Sequence, residues 1–178
     1  MLLILKQQNI HNITIVDNSY FILDTICDML DIKYVHITES QFIDNEIFTP
    51  VWLTNPKYSS GKILCLDTKN KIKKLLWKNI TVILDECLCG INDYCHSFFK
   101  EYENNLFCIC SPHKYLMTNN FKFACLVGNI NVLQRNSDYI DNIIGSLSCS
   151  SIMAIKHFIS NNYDLCKQYC DKFIQTNI

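Results

Sequence analysis

Short apolar runs of strand length alternate along this chain with longer segments in which apolar residues recur at helical spacing. The strand-like runs lie at 12–16, 33–37, 51–54, 80–85, 106–110 and 121–128. Several of them are almost continuously hydrophobic, which is typical of strands that are covered on both faces. Strands separated by helices pair in parallel through crossover connections. The pattern therefore predicts an α/β fold, a three-layer α/β/α sandwich with a mostly parallel sheet.

Helical spacing is clearest in two of the intervening segments and in the C-terminal region. The segment 20–31 is predicted to bury one apolar face, formed by Ile22, Ile26, Met29 and Leu30. The segment 67–78 is predicted to begin near Asp67 and to bury Ile72, Leu75 and Leu76. After residue 129 the pattern is helical. These helices would supply the two outer layers of the sandwich.

The length and charge of the chain exclude several classes of protein. Its 178 residues suffice for a single core and a single domain. The formal net charge is −1, and no basic run is present, so the sequence does not predict nucleic-acid binding. The apolar run at the start is too short to span a membrane and lacks the layout of a signal peptide. We expect a cytoplasmic protein that does not bind membranes.

The chain contains 11 cysteines, an odd number that favours a reducing compartment. Cys108, Cys110 and Cys125 lie inside apolar runs and are predicted to be small core residues. A zinc site would have to draw on a set formed by Cys87, Cys89, Cys95, His96 and His113. No CxxC pair is present, and the spacings match no standard structural zinc site, so no metal is predicted.

Polar residues follow the apolar runs at the positions where ligands bind in parallel sheets, which are the carboxyl ends of the strands. The candidate binding residues are Tyr20, Asn55, Asp85, Ser111, Lys114 and Lys122. Each also has an ordinary structural interpretation. Asp85 could cap a helix, Asn55 could form a turn with the next proline, and Lys114 could be a solvated loop residue. Their arrangement, rather than any one of them, predicts a site.

Four stretches of the chain, in order, resemble motifs of the class I/II aminotransferases, the fold-type I enzymes that use pyridoxal 5'-phosphate (PLP). "TNPKYSSGKIL" resembles their NPNNPTG signature, and "TVILDECL" resembles VIVDEAY. "SPHKYLMTNNFKF" resembles their Ser-x-x-Lys motif, which is followed eight residues later by a basic residue. "VDNSYFILDTICDMLDIKYVHI" resembles their PSY strand end and the helix behind it. The branch that looks most similar is that of histidinol-phosphate aminotransferases.

The resemblance implies a role for each candidate residue. Lys114 would form a Schiff base with the PLP aldehyde, which requires a neutral amine, and would then move the α-proton of the substrate. Asp85 would keep the pyridine nitrogen protonated, Asn55 would donate to the phenolic oxygen, and Tyr20 would stack on the ring. Ser111 and Lys122 would bind the phosphate. His113 and Glu86 are predicted to be structural.

The sequence also departs from the family pattern. Leu88 stands where the family has a tyrosine, and Lys122 stands where arginine is usual, which removes the bidentate fork. The resemblance implies that residues 1–178 form a single PLP-binding large domain, truncated at both ends and largely without the C-terminal small domain. The chain would then be a fragment, a compact natural variant, or a degenerate relative that keeps the fold without the chemistry.

The sequence accordingly predicts a PLP-dependent aminotransferase that exchanges an amino group between an amino acid and a 2-oxo acid through Lys114. Decarboxylation and other reactions at the α-carbon use the same residues and remain open. The resemblance also implies a homodimer. The alternative prediction is a non-catalytic α/β domain that binds a partner, or that binds PLP without turnover.

Overall fold

A computed structural model describes residues 1–17, 19–90, 95, 98–99, 104–115, 122–145 and 149–177 of the chain. The strands are β1 Asn12–Val16, β2 Lys33–Ile37, β3 Val51–Thr54, β4 Val82–Glu86, β5 Leu106–Cys110 and β6 Cys125–Val127. The helices are α1 Leu2–Gln7, α2 Ile22–Met29, α3 Glu39–Asp44, α4 Leu66–Trp77, α5 Pro112–Tyr115, α6 Ile130–Ile144 and α7 Cys149–Asn177.

The strands form one sheet in the order β2-β1-β3-β4-β5-β6. Every neighbouring pair is parallel except β5 and β6, which are antiparallel with Cys110 opposite Cys125. The chain leaves β1 for β2 on one side and returns to β3 on the other side of β1. Such a reversal opens a crevice at the carboxyl ends of the two strands. The residues that follow β1 and β3 therefore lie at the position that parallel sheets offer to ligands.

Two apolar cores cover the two faces of the sheet. On one face, which we call the α2 face, residues of α1 and α2 such as Leu5 and Leu23 pack on Trp52, Ile83 and Phe107. On the other, which we call the α4 face, the core includes Phe42 of α3, Ile72 and Leu75 of α4, and the strand residues Leu53 and Leu84. The predicted three-layer sandwich with a mostly parallel sheet is confirmed.

Local sequence explains where several helices begin. Helix α3 starts with a capping box, in which the Thr38 hydroxyl accepts from the Gln41 backbone and the Gln41 side chain accepts from the Thr38 backbone. Helix α6 starts at Asn129, whose side-chain oxygen accepts from the backbone N–H groups of Asn131 and Val132. These caps satisfy backbone donors that have no partner inside the helix.

The predicted buried residues of α4, Ile72, Leu75 and Leu76, are indeed buried, although the helix is capped at Cys65 rather than near Asp67. The predicted buried face of α2 is wrong. Leu23 and Cys27 are the buried residues of that helix, whereas Ile22, Ile26 and Met29 are exposed. Both sides of α2 are apolar, so spacing alone could not identify the side that docks on the sheet.

The cysteines follow the strand pattern with one exception. Cys108 and Cys110 are buried in the α4-face core, as predicted. Cys125 is exposed, because β6 is an edge strand of three residues with little cover on either face. All 11 cysteines lie in the described ranges, and all are free thiols there. None of the helices in these ranges combines the length and hydropathy that crossing a bilayer would need.

Replacing Gly128 with alanine is expected to destabilise the fold. A Cβ at this position would lie 2.9 Å from Cε1 of Phe107 and 3.0 Å from the carbonyl oxygen of Leu106, so β6 would have to shift away from β5. Overpacking of this kind costs about 1–3 kcal/mol. Urea unfolding would measure the loss, with Ser59→Ala in an exposed loop as the control. Equal stability of the two variants would contradict the close approach.

Candidate functional site

A cavity of about 390 Å³ opens between α1, α2 and the sheet at the crevice beside β1 and β3. Its walls are largely apolar and come from Met1 to Leu3, from α2, and from Trp52 of β3. Two residues with polar groups also line it, Tyr20 after β1 and Asp85 near the end of β4. The volume falls in the range of about 300–1,000 Å³ that is usual for small-molecule sites. Tyr20 and Asp85, which are far apart in sequence, therefore face one space.

Asp85 lies on the α2 face because side chains alternate along β4. Ile83 belongs to the core of that face, and Asp85 is two residues further along the strand. One carboxylate oxygen, Oδ1, accepts from the backbone N–H of Cys87 at 3.1 Å. The Cys87 thiol is also hydrogen-bonded to this carboxylate. The carboxylate lines the cavity, where a donor on a bound ligand can reach it.

Cys87 contacts both Asp85, near the end of β4, and Ser111, which follows β5. The Ser111 hydroxyl donates to the Cys87 sulfur at 3.1 Å. Burial, followed by the charge of the Asp85 carboxylate, raises the pKa of the Cys87 thiol to about 11, whereas the positive charge of Lys114 acts in the opposite direction. Asp85 and Ser111 thus both contact Cys87, and the charge of Lys114 acts on the same thiol.

Lys114 and Lys122 are brought to the same edge by one buried histidine. Nδ1 of His113 lies 2.6 Å from the carbonyl oxygen of Phe123 and accepts from the Phe123 N–H at 3.2 Å. Lys114 and Lys122 are each adjacent in sequence to one member of this pair, and both are exposed. His113 was predicted to be structural, and this contact agrees with that interpretation.

The predicted donation by Asn55 to a ligand is not supported by its surroundings. Asn55 is 1% exposed, and its Nδ2 donates to Oε1 of Glu86 at 3.0 Å. Its Oδ1 accepts from the backbone N–H of Leu64 at 3.2 Å. Glu86 lies on the α4 face, since it is one residue beyond Asp85 and two beyond Leu84. The amide of Asn55 therefore points to the opposite side of the sheet from Asp85, which corrects the sequence-based role.

Glu86 is the centre of this second polar group. It is fully buried, and its Oε1 also accepts from the backbone N–H of Cys95 at 2.7 Å. Burial, followed by the charge of Glu86, raises the pKa of Cys110 to about 12 and also raises the pKa of Cys95 and Cys108. Thiols of this kind stay protonated and are poor nucleophiles. Glu86 thus has a structural role, as predicted.

No set of three or more His, Cys, Asp and Glu side chains that could hold a metal ion is present among the described residues. His96, one of the ligands considered from the sequence, lies outside those residues, as does Asn18 beside Tyr20.

A cluster of charged residues fixes the end of β1, just before Tyr20. Asp17 adopts a left-handed φ of 56°, which few residue types tolerate. Its Oδ1 accepts from the Glu39 N–H at 2.9 Å, and its Oδ2 pairs with Lys57 at 3.2 Å. Glu39 in turn accepts from Lys57 and from the Thr68 hydroxyl. The cluster holds the chain where it turns from the strand towards the cavity.

Sequence reasoning missed two parts of this site. Cys87 follows the Asp85-Glu86 pair directly, in the turn after β4, so its closeness to Asp85 could have been inferred. The Asp17–Lys57–Glu39 cluster could not, because its members come from three separate segments and no local spacing connects them.

Comparison with solved structures identifies the fold. The chain is similar to an Escherichia coli protein with a methionine aminotransferase function, at a TM-score of 0.78 and 11% identity, over 93% of this chain and 48% of that one. It is similar to cystalysin from Treponema denticola, which contains PLP, at a TM-score of 0.74 and 13% identity, over 92% and 46%. The histidinol-phosphate aminotransferase from Clostridium acetobutylicum gives a TM-score of 0.57 and 18% identity, over 74% and 43%.

No family model matches the sequence, and no curated protein matches it. The structural similarities show that this chain has the fold of the large domain of fold-type I PLP-dependent aminotransferases. The chain spans about half the length of these proteins.

Replacing Glu39 with glutamine is expected to lower stability by roughly 1–2 kcal/mol at pH 7. Burial alone would raise the pKa of Glu39, but hydrogen bonds from Lys57 and Thr68 outweigh it and lower the pKa below its usual 4.5. The stabilisation is thus present above the unfolded-state pKa and is lost as the pH falls through the folded-state pKa. The difference between wild type and Glu39→Gln should shrink below about pH 4.5.

Denaturant unfolding at several pH values would measure this effect. Glu46→Gln is the matched control, because Glu46 pairs with Lys78 at 3.2 Å but is 69% exposed. Such surface pairs contribute little. A Glu39→Gln variant as stable as Glu46→Gln at pH 7 would contradict the role of the cluster.

Proposed function

We propose that this chain binds PLP at the cavity beside Asp85 and belongs to an enzyme that transfers an amino group between an amino acid and a 2-oxo acid. The observation that carries the proposal is that Asp85, which lines the cavity with Tyr20, and Ser111 both contact Cys87, and that the charge of Lys114 acts on the same thiol. The fold supports the same conclusion, because similar solved structures include a PLP-containing protein.

The residues at the site suit the groups of this cofactor. Asp85 lines the cavity, and a carboxylate is the partner that keeps a pyridine nitrogen protonated. The cavity is largely apolar, and Tyr20 offers an aromatic face for stacking. Ser111 provides a hydroxyl donor and Lys122 a positive charge for the phosphate. To bind phosphate, Ser111 has to redirect the hydroxyl that it donates to Cys87.

Lys114 is the residue that we propose binds the cofactor covalently and moves the substrate proton. Its side chain is exposed, so an incoming aldehyde can reach the amine. When bound, PLP acts as an electron sink that stabilises negative charge at the substrate α-carbon. Lys114 then holds or returns the α-proton, while Asp85 keeps the proton on the ring nitrogen. The same residues would also serve decarboxylation, so the proposed site suits other reactions at the substrate α-carbon besides amino-group transfer.

A second candidate function is a non-catalytic domain that binds a partner, or PLP without turnover. The specific observation in its favour is that two donors are lacking which, by the resemblance, would bind the phenolic oxygen of the cofactor. Asn55 is committed to Glu86, and Leu88 stands where the family pattern has a tyrosine. A protein that keeps Lys114 and Asp85 but lacks both donors could still bind PLP and yet catalyse amino-group transfer slowly or not at all.

We further propose a homodimer in a reducing cytoplasm. The state of the cysteines is compatible with such a compartment, since all are free thiols in the described ranges. Light scattering tests the assembly directly, and a mass of 20.8 kDa, that of one chain, would reject the dimer.

Lys114→Ala is expected to abolish covalent capture of PLP while leaving the fold intact. The wild-type chain would be mixed with PLP, reduced with borohydride and digested, and the modified lysine identified by mass spectrometry. We expect the modification at Lys114. Lys62→Ala, a change in an exposed loop, is the control and should leave capture unchanged. Capture spread evenly over surface lysines would reject the proposal.

Asp85→Asn is expected to keep PLP bound but to slow proton removal from a bound amino acid by orders of magnitude, because a neutral ring withdraws electrons poorly. The exchange of the amino-acid α-hydrogen with deuterated solvent measures this step. Unchanged exchange in the variant would show that Asp85 does not face the ring nitrogen. No exchange in wild-type protein that captures PLP at Lys114 would favour the non-catalytic alternative.

A further inference from the structure

The helix that carries Lys114 is too short to hold itself in place. Helix α5 has four residues, and isolated helices of this length are not stable in water. Its position depends on contacts made by its side chains. His113 is tied to Phe123 on one side of Lys114, as described above. On the other side, the hydroxyl of Tyr115 donates to Oδ1 of Asp171, in the long helix α7.

Asp171 is itself held by a second partner. Lys167 lies one turn earlier on α7, and its Nζ is 2.9 Å from the other carboxylate oxygen of Asp171. The hydrogen bonds from Tyr115 and then Lys167 lower the pKa of Asp171, so the carboxylate is ionised near neutral pH. Hydrogen bonds to ionised acceptors are stronger than neutral ones.

The contact also lies beside a buried residue of α7. Cys170, the neighbour of Asp171, is 1% exposed, whereas Leu165 and Tyr169 are largely exposed. Most of the described length of α7 has little cover, and Asp171 is beside one of its buried points.

We propose that Asp171 is a positioning residue for Lys114: through the Tyr115 hydroxyl it orients helix α5, so that the Lys114 amine faces the side of the site where Asp85 lies. This inference rests on the proposed function. Lys114 lies between two residues that are both tied to other segments, and among the described residues its own side chain makes no hydrogen bond or ion pair that its reaction would break. Misplacement of a reacting group by about 1 Å can cost on the order of 100-fold in rate.

The test uses the full chain and five variants, one of which is a control. Tyr115→Phe removes only the hydroxyl, and Asp171→Ala removes the acceptor. Asp171→Asn keeps an acceptor oxygen and should restore part of the effect. The double variant Tyr115→Phe with Asp171→Ala should show no larger loss than either single variant, because both changes remove the same hydrogen bond between α5 and α7. Tyr169→Phe, at an exposed tyrosine of the same helix, is the matched control.

Two measurements are made on each protein. Amide hydrogen exchange of residues 113–115, without PLP, reports whether α5 is held in place. The rate at which PLP becomes trapped at Lys114 by borohydride reports whether the amine is oriented. We expect faster exchange and about tenfold slower trapping in Tyr115→Phe and Asp171→Ala. Circular dichroism would establish that these variants fold.

Unchanged exchange in both single variants would overturn the inference. Faster exchange with unchanged trapping would also overturn it, because Asp171 would then be structural only. Losses that add in the double variant would show that Tyr115 and Asp171 act separately. If the wild-type chain traps no PLP at Lys114, the proposed function fails instead, and the exchange data alone decide whether Asp171 holds α5.

Discussion

A parallel sheet that is covered on both faces can offer polar side chains to a ligand only where its strands end. In this chain the α2-face and α4-face cores use almost every side chain of β1, β3, β4 and β5. The groups that remain for chemistry are those at the carboxyl ends of these strands. The antiparallel strand β6 begins at the same edge, so Lys122 arrives there although its strand runs the other way. The location of the candidate site follows from this single constraint.

The same constraint separates two acidic residues that are adjacent in sequence. Asp85 faces the α2 side and the cavity, with one oxygen committed to the backbone of Cys87. Glu86 faces the α4 side, where it is fully buried and satisfied by Asn55 and the backbone of Cys95. Two neighbouring residues of β4 thus provide one carboxylate that lines the cavity and one that is buried and structural. It also explains why Asn55, which pairs with Glu86, is directed away from the cavity.

Much of the fold could be predicted from the sequence, because nearly continuous apolar runs have few solutions other than buried strands. The predicted limits of β1, β2, β3 and β5 match the observed strands. Predictions failed where local spacing was ambiguous. Helix α2 is apolar on two sides, and only docking on the sheet selected Leu23 and Cys27 over Ile22 and Ile26. Cys125 has an apolar context but lies on a short edge strand, so burial could not be inferred from its neighbours in sequence.

The sequence by itself determined the alternation of strands and helices, the residue types at each strand end, and the order of Asp85, Ser111, Lys114 and Lys122, because these are local properties of the chain. Only the tertiary structure decided which of these residues share one space and which segments hold them there. The contacts of Tyr115 with Asp171, of His113 with Phe123 and of Asn55 with Glu86 join residues that no spacing relates. Hydrogen bonds between distant segments depend on how the layers pack, and packing is a property of the whole chain.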